Sequence, residues 1–315
     1  MRIMRNKWLN ILLAGVLLLC ACQAPEVQNP TPAPAETPAA TAEPADAPAL
    51  AALTDMLGRE FTLKGTPQRV VSLSPASTEI LFALEKGGAV VGVDEGSDYP
   101  ADAQSLPKLQ AADVDGIAAL SPDVVFVSQT LGEDGIKALE AKGLCVVCAE
   151  AAAYNDLYAS IALTAQVMDA DAAPLVQSIQ EAVRDVGAQA AELDLQPTVY
   201  LALSYGENGH VSAGPGSFAY SVLQMAGGAP VTAQATDAYP VYTTEELLAL
   251  APQVVLVPST IDLDELCAAD GYKDLAAVQE GRVYSVDLSL VSRPGPRVAE
   301  GMQEVYEALE MSLNS

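Results

Sequence analysis

Few side chains in this sequence combine types and spacings that do chemistry. Cys145 and Cys148 form a CxxC, the spacing of a dithiol redox pair. They lie in LCVVCA, an apolar run behind a helix expected over Asp134 to Lys142 and its Gly143 stop, so the segment reads as a strand, Leu144 to Ala149. On a strand, residues three apart point to opposite faces with Cα atoms about 10 Å apart, beyond disulfide reach. A buried, structural role is the expectation for both. His210 is the only histidine, whereas a site for bare zinc or manganese gathers several His with carboxylates. The chain carries no GxSxG, GxxxxGK[ST] or HExxH, and AGPGS at Ala213 to Ser217 is a Gly-rich turn without the lysine of a phosphate loop. Neither catalysis nor a resident cofactor or metal is expected.

The elements around these residues repeat. DVDGIAALSPDVVFV (Asp113 to Val127) and TTEELLALAPQVVLV (Thr243 to Val257) lie 130 residues apart and match at six of fifteen positions. Each reads as a capped helix, a Pro stop and a buried Val-rich strand. Strands are expected at Arg69 to Leu73, Ala89 to Val93, Asp123 to Val127 and Leu144 to Ala149, alternating with helices, one of which starts at the Ser74 N-cap with Pro75 at its first position. Tyr154 to Leu193 has no strand pattern. Its second half, capped by Asp171, places Leu175, Ile179, Val183, Val186, Ala190 and Leu193 on one helical face, a linker of about 20 residues or ~30 Å. A second lobe runs from strand Thr198 to Leu203 to strand Arg282 to Asp287 and a last helix carrying Val298, Met302, Val305 and Leu309. The fold expected is α/β: two similar parallel-sheet lobes at 53–153 and 195–315, joined through linking helices at 154–194 that include a single long one, with a ligand cleft between the lobes.

The amino-terminal fifty residues bear on location. Arg2, Arg5 and Lys7 precede an apolar run from Trp8 to Leu19, too short to span a bilayer and charged like a secretory signal. The run ends in Leu19-Cys20-Ala21-Cys22, which resembles a bacterial lipoprotein cleavage site. Small Ala21 makes Cys22 the better lipid acceptor, with 1–21 removed as signal. The stretch 22–52, rich in Pro, Ala, Thr and Glu, reads as a flexible tether to the extracytoplasmic face of the cell membrane. Loss of the signal takes away three of the 15 basic residues and none of the 41 acidic ones, leaving a net charge of −29. So acidic a surface repels nucleic acid and anionic lipid, and favours partners that present Arg or Lys.

RVVSLSPASTEILFAL (Arg69 to Leu84), GVDEGSDYP (Gly92 to Pro100), the LSPDVVFV run, GHVSAGPGSFAYSVLQMAGG (Gly209 to Gly228) and SRPGPRVAEGM (Ser292 to Met302) together resemble the substrate-binding proteins of iron-siderophore, haem and cobalamin ABC importers, from about Arg59 to Leu309. The resemblance implies a monomeric receptor that captures an iron chelate, siderophore or haem, and delivers it to a permease dimer with a cytoplasmic ATPase. Cobalamin or another corrinoid is the alternative ligand, and a sensor or adhesin the alternative role. Ligand-lining positions implied are Ser74, Ser77, Asp98, Tyr99, Tyr205, Tyr239 and Arg293. A helix start offers backbone donors to anions, Tyr can stack on a macrocycle or ligate ferric iron, and Arg can hold a carboxylate. His210 is a candidate axial haem ligand. Leu109, Gly96 and Ser128 are small or apolar where cobalamin binders carry aromatic clamps, which argues against cobalamin. The permease-docking acids implied are Asp115 and Glu245, one per repeat, each in a first helical turn where the helix dipole also favours an acid; Asp115 is shorter by one methylene than the Glu of the family.

If Cys22 is the acylated residue, Cys22→Ser releases the protein from membranes and Cys20→Ser does not. Membrane fractionation checks this, and retention of the Cys22→Ser protein would overturn the assignment.

Overall fold

The computed structural model describes residues 52–206 and 208–314. The expected signal, Cys20, Cys22 and all of the tether but Ala52 lie outside the described residues. Strands β1 (Leu53–Thr54) and β2 (Glu60–Phe61) form an antiparallel pair ahead of the first lobe. That lobe contains β3 (Val70–Leu73), α1 (Pro75–Ala83), β4 (Val90–Asp94), α2 (Ala101–Gln104), β5 (Lys108–Leu109), α3 (Val114–Ala119), β6 (Val124–Val127), α4 (Gly132–Glu140) and β7 (Val146–Cys148). Its five-stranded parallel sheet has the order β5-β4-β3-β6-β7.

Val-rich strands buried on both faces are what a parallel sheet covered by helices requires. Alternation divides their side chains between two cores. Val70, Val124 and Phe126 join Leu81, Leu163 and Val167 on one face. Val71, Leu73, Val125 and Val127 join Ile117, Ile136 and Leu139 on the other. Cys145 and Cys148 fall to these opposite faces as the strand period demands, both free, Cys148 fully buried and Cys145 only partly so. Burial pushes the Cys148 thiol up to about 11, which removes it from thiolate chemistry at neutral pH.

Two helices lead to the second lobe. Helix α5 (Leu157–Val167) packs on α1, and after a turn in which Asp169 adopts φ +50°, α6 (Ala173–Ala190) follows. The long helix ends three residues short of Leu193. Its expected stripe is present: Ile179, Val186 and Ala190 are buried, and Leu175, Val183 and Leu193 pack beside them. The second lobe contains β8 (Thr198–Leu201), β9 (His210–Val211), α7 (Phe218–Met225), β10 (Ala229–Pro230), β11 (Val241–Tyr242), α8 (Thr244–Leu250), β12 (Val254–Pro258), α9 (Leu263–Ala268), α10 (Ala276–Gln279), β13 (Val283–Val286), α11 (Leu288–Ser292) and α12 (Val298–Leu313). Four strands form a parallel sheet in the order β10-β8-β12-β13, while β9 and β11 pair separately. One apolar cluster joins Ile80 of α1 and Leu84 just after it, Leu157 and Ile161 of α5 and Ile179 of α6 to Val199, Leu256 and Met302 of the second lobe. The lobes are therefore connected by packing as well as by chain.

The repeat performs the same construction in both lobes. Asp113 Oδ1 accepts from Gly116 N–H (2.9 Å) at the start of α3, and Thr243 caps α8 in a reciprocal box with Glu246. Ser121 (φ +48°) and Ala251 (φ +44°) occupy equivalent places after the helix, where a left-handed residue precedes Pro122 or Pro252. Next, Asp123 Oδ2 accepts from the N–H groups of Gln68 and Arg69 (2.8 Å each), while Gln253 Oε1 accepts from Thr198 N–H (2.8 Å). Each repeat thus ties its strand to the first strand of its own sheet. Among the described residues no helix is long and apolar enough to cross a membrane.

Candidate functional site

Parallel strands point their carboxyl ends, and the loops that follow, to one edge of a sheet. At that edge of the first lobe lies a cavity of about 720 Å³ lined by Leu73, Pro75, Asp94, Leu109, Ser128 and Leu131, among others. Beside the loop after β8 and the start of α8 lies a second, about 620 Å³, lined by Tyr205, Asn208, His210, Tyr242, Thr244 and Asp270, among others. Each reaches the opening residues of its repeat. Val114 borders the first cavity and Thr243 the second. Asp115 and Glu245 come next, both as the second residue of their helices and both exposed.

The lobes meet through charge. Glu79 in α1 is 2 % exposed in its side chain, and its carboxylate accepts from two arginines of the second lobe: Arg293 Nη1 at 2.7 Å and Arg297 Nη2 at 2.5 Å, with Arg297 Nε at 3.0 Å. Gly295 between the arginines permits this approach, since a Cβ there would stand 3.2 Å from Glu79 Oε2. Arg293 also donates to Asp98 Oδ1 (2.9 Å) and to the Gly96 carbonyl (3.2 Å). The Arg297 guanidinium lies 4.1 Å from the Tyr99 ring centroid, at cation–π distance, beside the cis Tyr99–Pro100 bond. Partial burial pushes the Asp98 carboxyl up, but Arg293 outweighs it and holds the group below its ordinary value. Burial acts against the Arg297 charge, and Glu79 more than offsets it. Two cations face two carboxylates, so the cluster is balanced.

A periplasmic binding protein family model matches residues 70–290. The chain belongs to the periplasmic binding protein family. An uncharacterized ABC transporter substrate-binding lipoprotein of Bacillus subtilis is 28% identical over 312 residues, 96% of each chain. A cobalamin-binding protein of Halobacterium salinarum is 26% identical over 282 residues, covering 81% of this chain and 72% of that one. Among solved structures, a periplasmic haem-binding protein carrying two haems superposes with a TM-score of 0.71 at 28% identity, covering 79% of this chain and all of that one.

In this family member the expected lining residues divide into groups. Tyr239 is 57% exposed, and Tyr205 borders the second-lobe cavity with its ring edge-on to Tyr272 at 5.9 Å. Asp98 and Tyr99 are exposed but engaged by Arg293 and Arg297. Three more of the expected lining residues lie where the lobes or their elements meet. At the start of α1, Ser74 is fully buried, its Oγ accepts from Ser77 N–H, and it donates to Glu150 Oε2 at 2.6 Å. Burial pushes that Glu150 carboxyl up. Ser77 is fully buried, and its Oγ has no hydrogen-bond partner among the described residues. Arg293 donates to Glu79, Asp98 and the Gly96 carbonyl.

His210 belongs to the lining of the second-lobe cavity. It is 3% exposed on β9, its Nε2 lies 3.2 Å from Thr244 Oγ1, its Nδ1 is buried without a partner, and Tyr272 meets its ring edge-on at 5.2 Å. Leu109 and Ser128, singled out as small or apolar, do line the first-lobe cavity. Sequence reasoning missed Glu79, Arg297 and Glu150. An available signal was Glu79 itself, an acid among Thr78, Ile80 and Leu81 at a core-facing place, together with the Arg293-x-x-x-Arg297 spacing.

Removing one member of a buried ion cluster leaves charge uncompensated, at a cost of roughly 3 kcal/mol. Glu79→Gln should lower urea-unfolding stability by about that much, and a double-mutant cycle with Arg297→Met should give a coupling above ~1 kcal/mol. A coupling below ~0.5 kcal/mol would show that the cluster does not tie the lobes. For His210, burial lowers the folded pKa below the ordinary 6.5. The unfolded chain then binds the extra proton first, so stability is lost as pH falls below about 6.5 toward the folded value. Urea midpoints at about pH 7.5 and about pH 5 should fall further for the wild type than for His210→Asn; equal falls would refute a neutral imidazole.

Proposed function

We propose that this chain is the lipid-anchored, extracytoplasmic substrate-binding protein of an ABC importer, binding a metal chelate (siderophore, haem or corrinoid) between its lobes and handing it to a permease. It acts by binding, not by catalysis. The observation that carries the reading is the matched placement of Asp115 and Glu245. Both are exposed second residues of equivalent helices, each beside a cavity at the carboxyl edge of its sheet. A two-fold permease that offers one Arg to each lobe would meet both through charge-assisted pairs. Glu245 has no ion-pair partner among the described residues, while Asp115 holds Lys142 at 2.6 Å. That pair is exposed and worth at most about 1 kcal/mol, so a permease arginine can displace the lysine. The near full-length likeness to a substrate-binding lipoprotein supports the same reading.

Asp115→Lys combined with Glu245→Lys should abolish import of whichever of haem, cobalamin or ferric siderophores the chain binds in calorimetric titration. The dissociation constant should stay within about threefold, because rim charges act on docking and lie outside the cavities. Undiminished import would show ordinary helix-dipole acids. Tight binding of bare zinc or manganese with none of the chelates would overturn the proposal.

A further inference from the structure

Two arginines of the second lobe already have carboxylates of the protein as charge partners. Arg293 and Arg297 are balanced by Glu79 and Asp98. The residues lining the first-lobe cavity include Asp94 and Glu95 and neither Lys nor Arg, with neutral donors and acceptors supplied by Gln110, Ser128 and Thr130. Asp94 accepts from Ser97, a neutral partner, and Glu95 is exposed with no ion pair among the described residues. Lys108, the nearby cation, gives its ammonium to the Ser97 carbonyl at 2.6 Å. The second-lobe cavity again lacks Lys and Arg. Its Asp270 holds Lys273 at 2.6 Å, and the neighbouring Tyr205 lies within the field of Glu265 and Asp262. At the start of α1, where an anion would otherwise dock, Glu150 already bonds to Ser74.

We infer that the site selects a metal chelate without net negative charge, neutral or cationic, with an amide- or hydroxyl-rich outer surface, and rejects polyanionic chelates. This rests on the chelate-import reading and narrows it. Like charges brought together across a desolvated contact cost enough to set specificity by repulsion, while uncharged hydrogen-bonding groups in the same walls tolerate a neutral periphery. A chain with a net charge of −29 after signal removal adds a long-range field of the same sign.

Calorimetric titration of the full chain in neutral detergent, against cationic ferrioxamine B, neutral cyanocobalamin, polyanionic ferric enterobactin and dicarboxylate haemin, tests this at low and at physiological salt. One of the first two should bind at least ~100-fold more tightly than either of the last two, about 2.8 kcal/mol. Asp94→Asn with Glu95→Gln should narrow that ratio by about fivefold or more. In the wild type, raising salt should strengthen whatever binding the anionic chelates show, since screening weakens repulsion. Tighter binding of ferric enterobactin or haemin, or a salt effect of opposite sign on them, would overturn the charge selection and leave chelate capture standing. If none of the four binds, chelate capture itself fails.

Discussion

One carboxylate organises the contact between the two lobes. Glu79 leaves water on α1 of the first lobe and is met by Arg293 and Arg297 from the segment that leads into α12 of the second. Burying such a charge is tolerable only with close, multiple donors, and the two guanidinium groups supply them. The same arginines then reach past Glu79 to Asp98, to the Gly96 carbonyl and to the Tyr99 ring. Lobe angle, the conformation of the Gly96-to-Pro100 loop and the charge of the cleft are thereby coupled to a single cluster.

Apolar packing reinforces that contact. The cluster running from Ile80 and Leu84 through α5 and α6 to Val199 and Met302 is continuous across the lobes, so separating them would expose hydrophobic surface as well as break ion pairs. A receptor held this way fits a ligand entering a largely preformed cleft.

The repeated helix and strand do two kinds of work. Inside each lobe, the cap, the left-handed residue before Pro, and the side-chain tie of Asp123 or Gln253 set a helix against the first strand of the sheet. Outside, the same geometry carries Asp115 and Glu245 to corresponding rims. An acid in the first helical turn is favoured by the dipole whatever its use; what distinguishes these two is that both rims also hold a cavity.

Local physics made much of this legible in advance. Continuous Val-rich runs, Pro and Gly stops, Ser and Asp caps and the apolar stripe of α6 follow from backbone and burial preferences within a few residues, so the strands, most helices and the two-lobe plan could be read from sequence alone. The lone histidine and the CxxC on a strand likewise argue from sequence against bare-ion and dithiol chemistry. Which polar groups face the ligand was decided only by tertiary structure. Glu79 and Arg293 are 214 residues apart, as Ser74 and Glu150 are 76, and no local preference encodes a partner at that distance. Ser74 and Arg293 have partners inside the protein, whereas Ser77 Oγ and His210 Nδ1 are buried without one, and only the packing brought by the fold decides which polar group is satisfied and which is not.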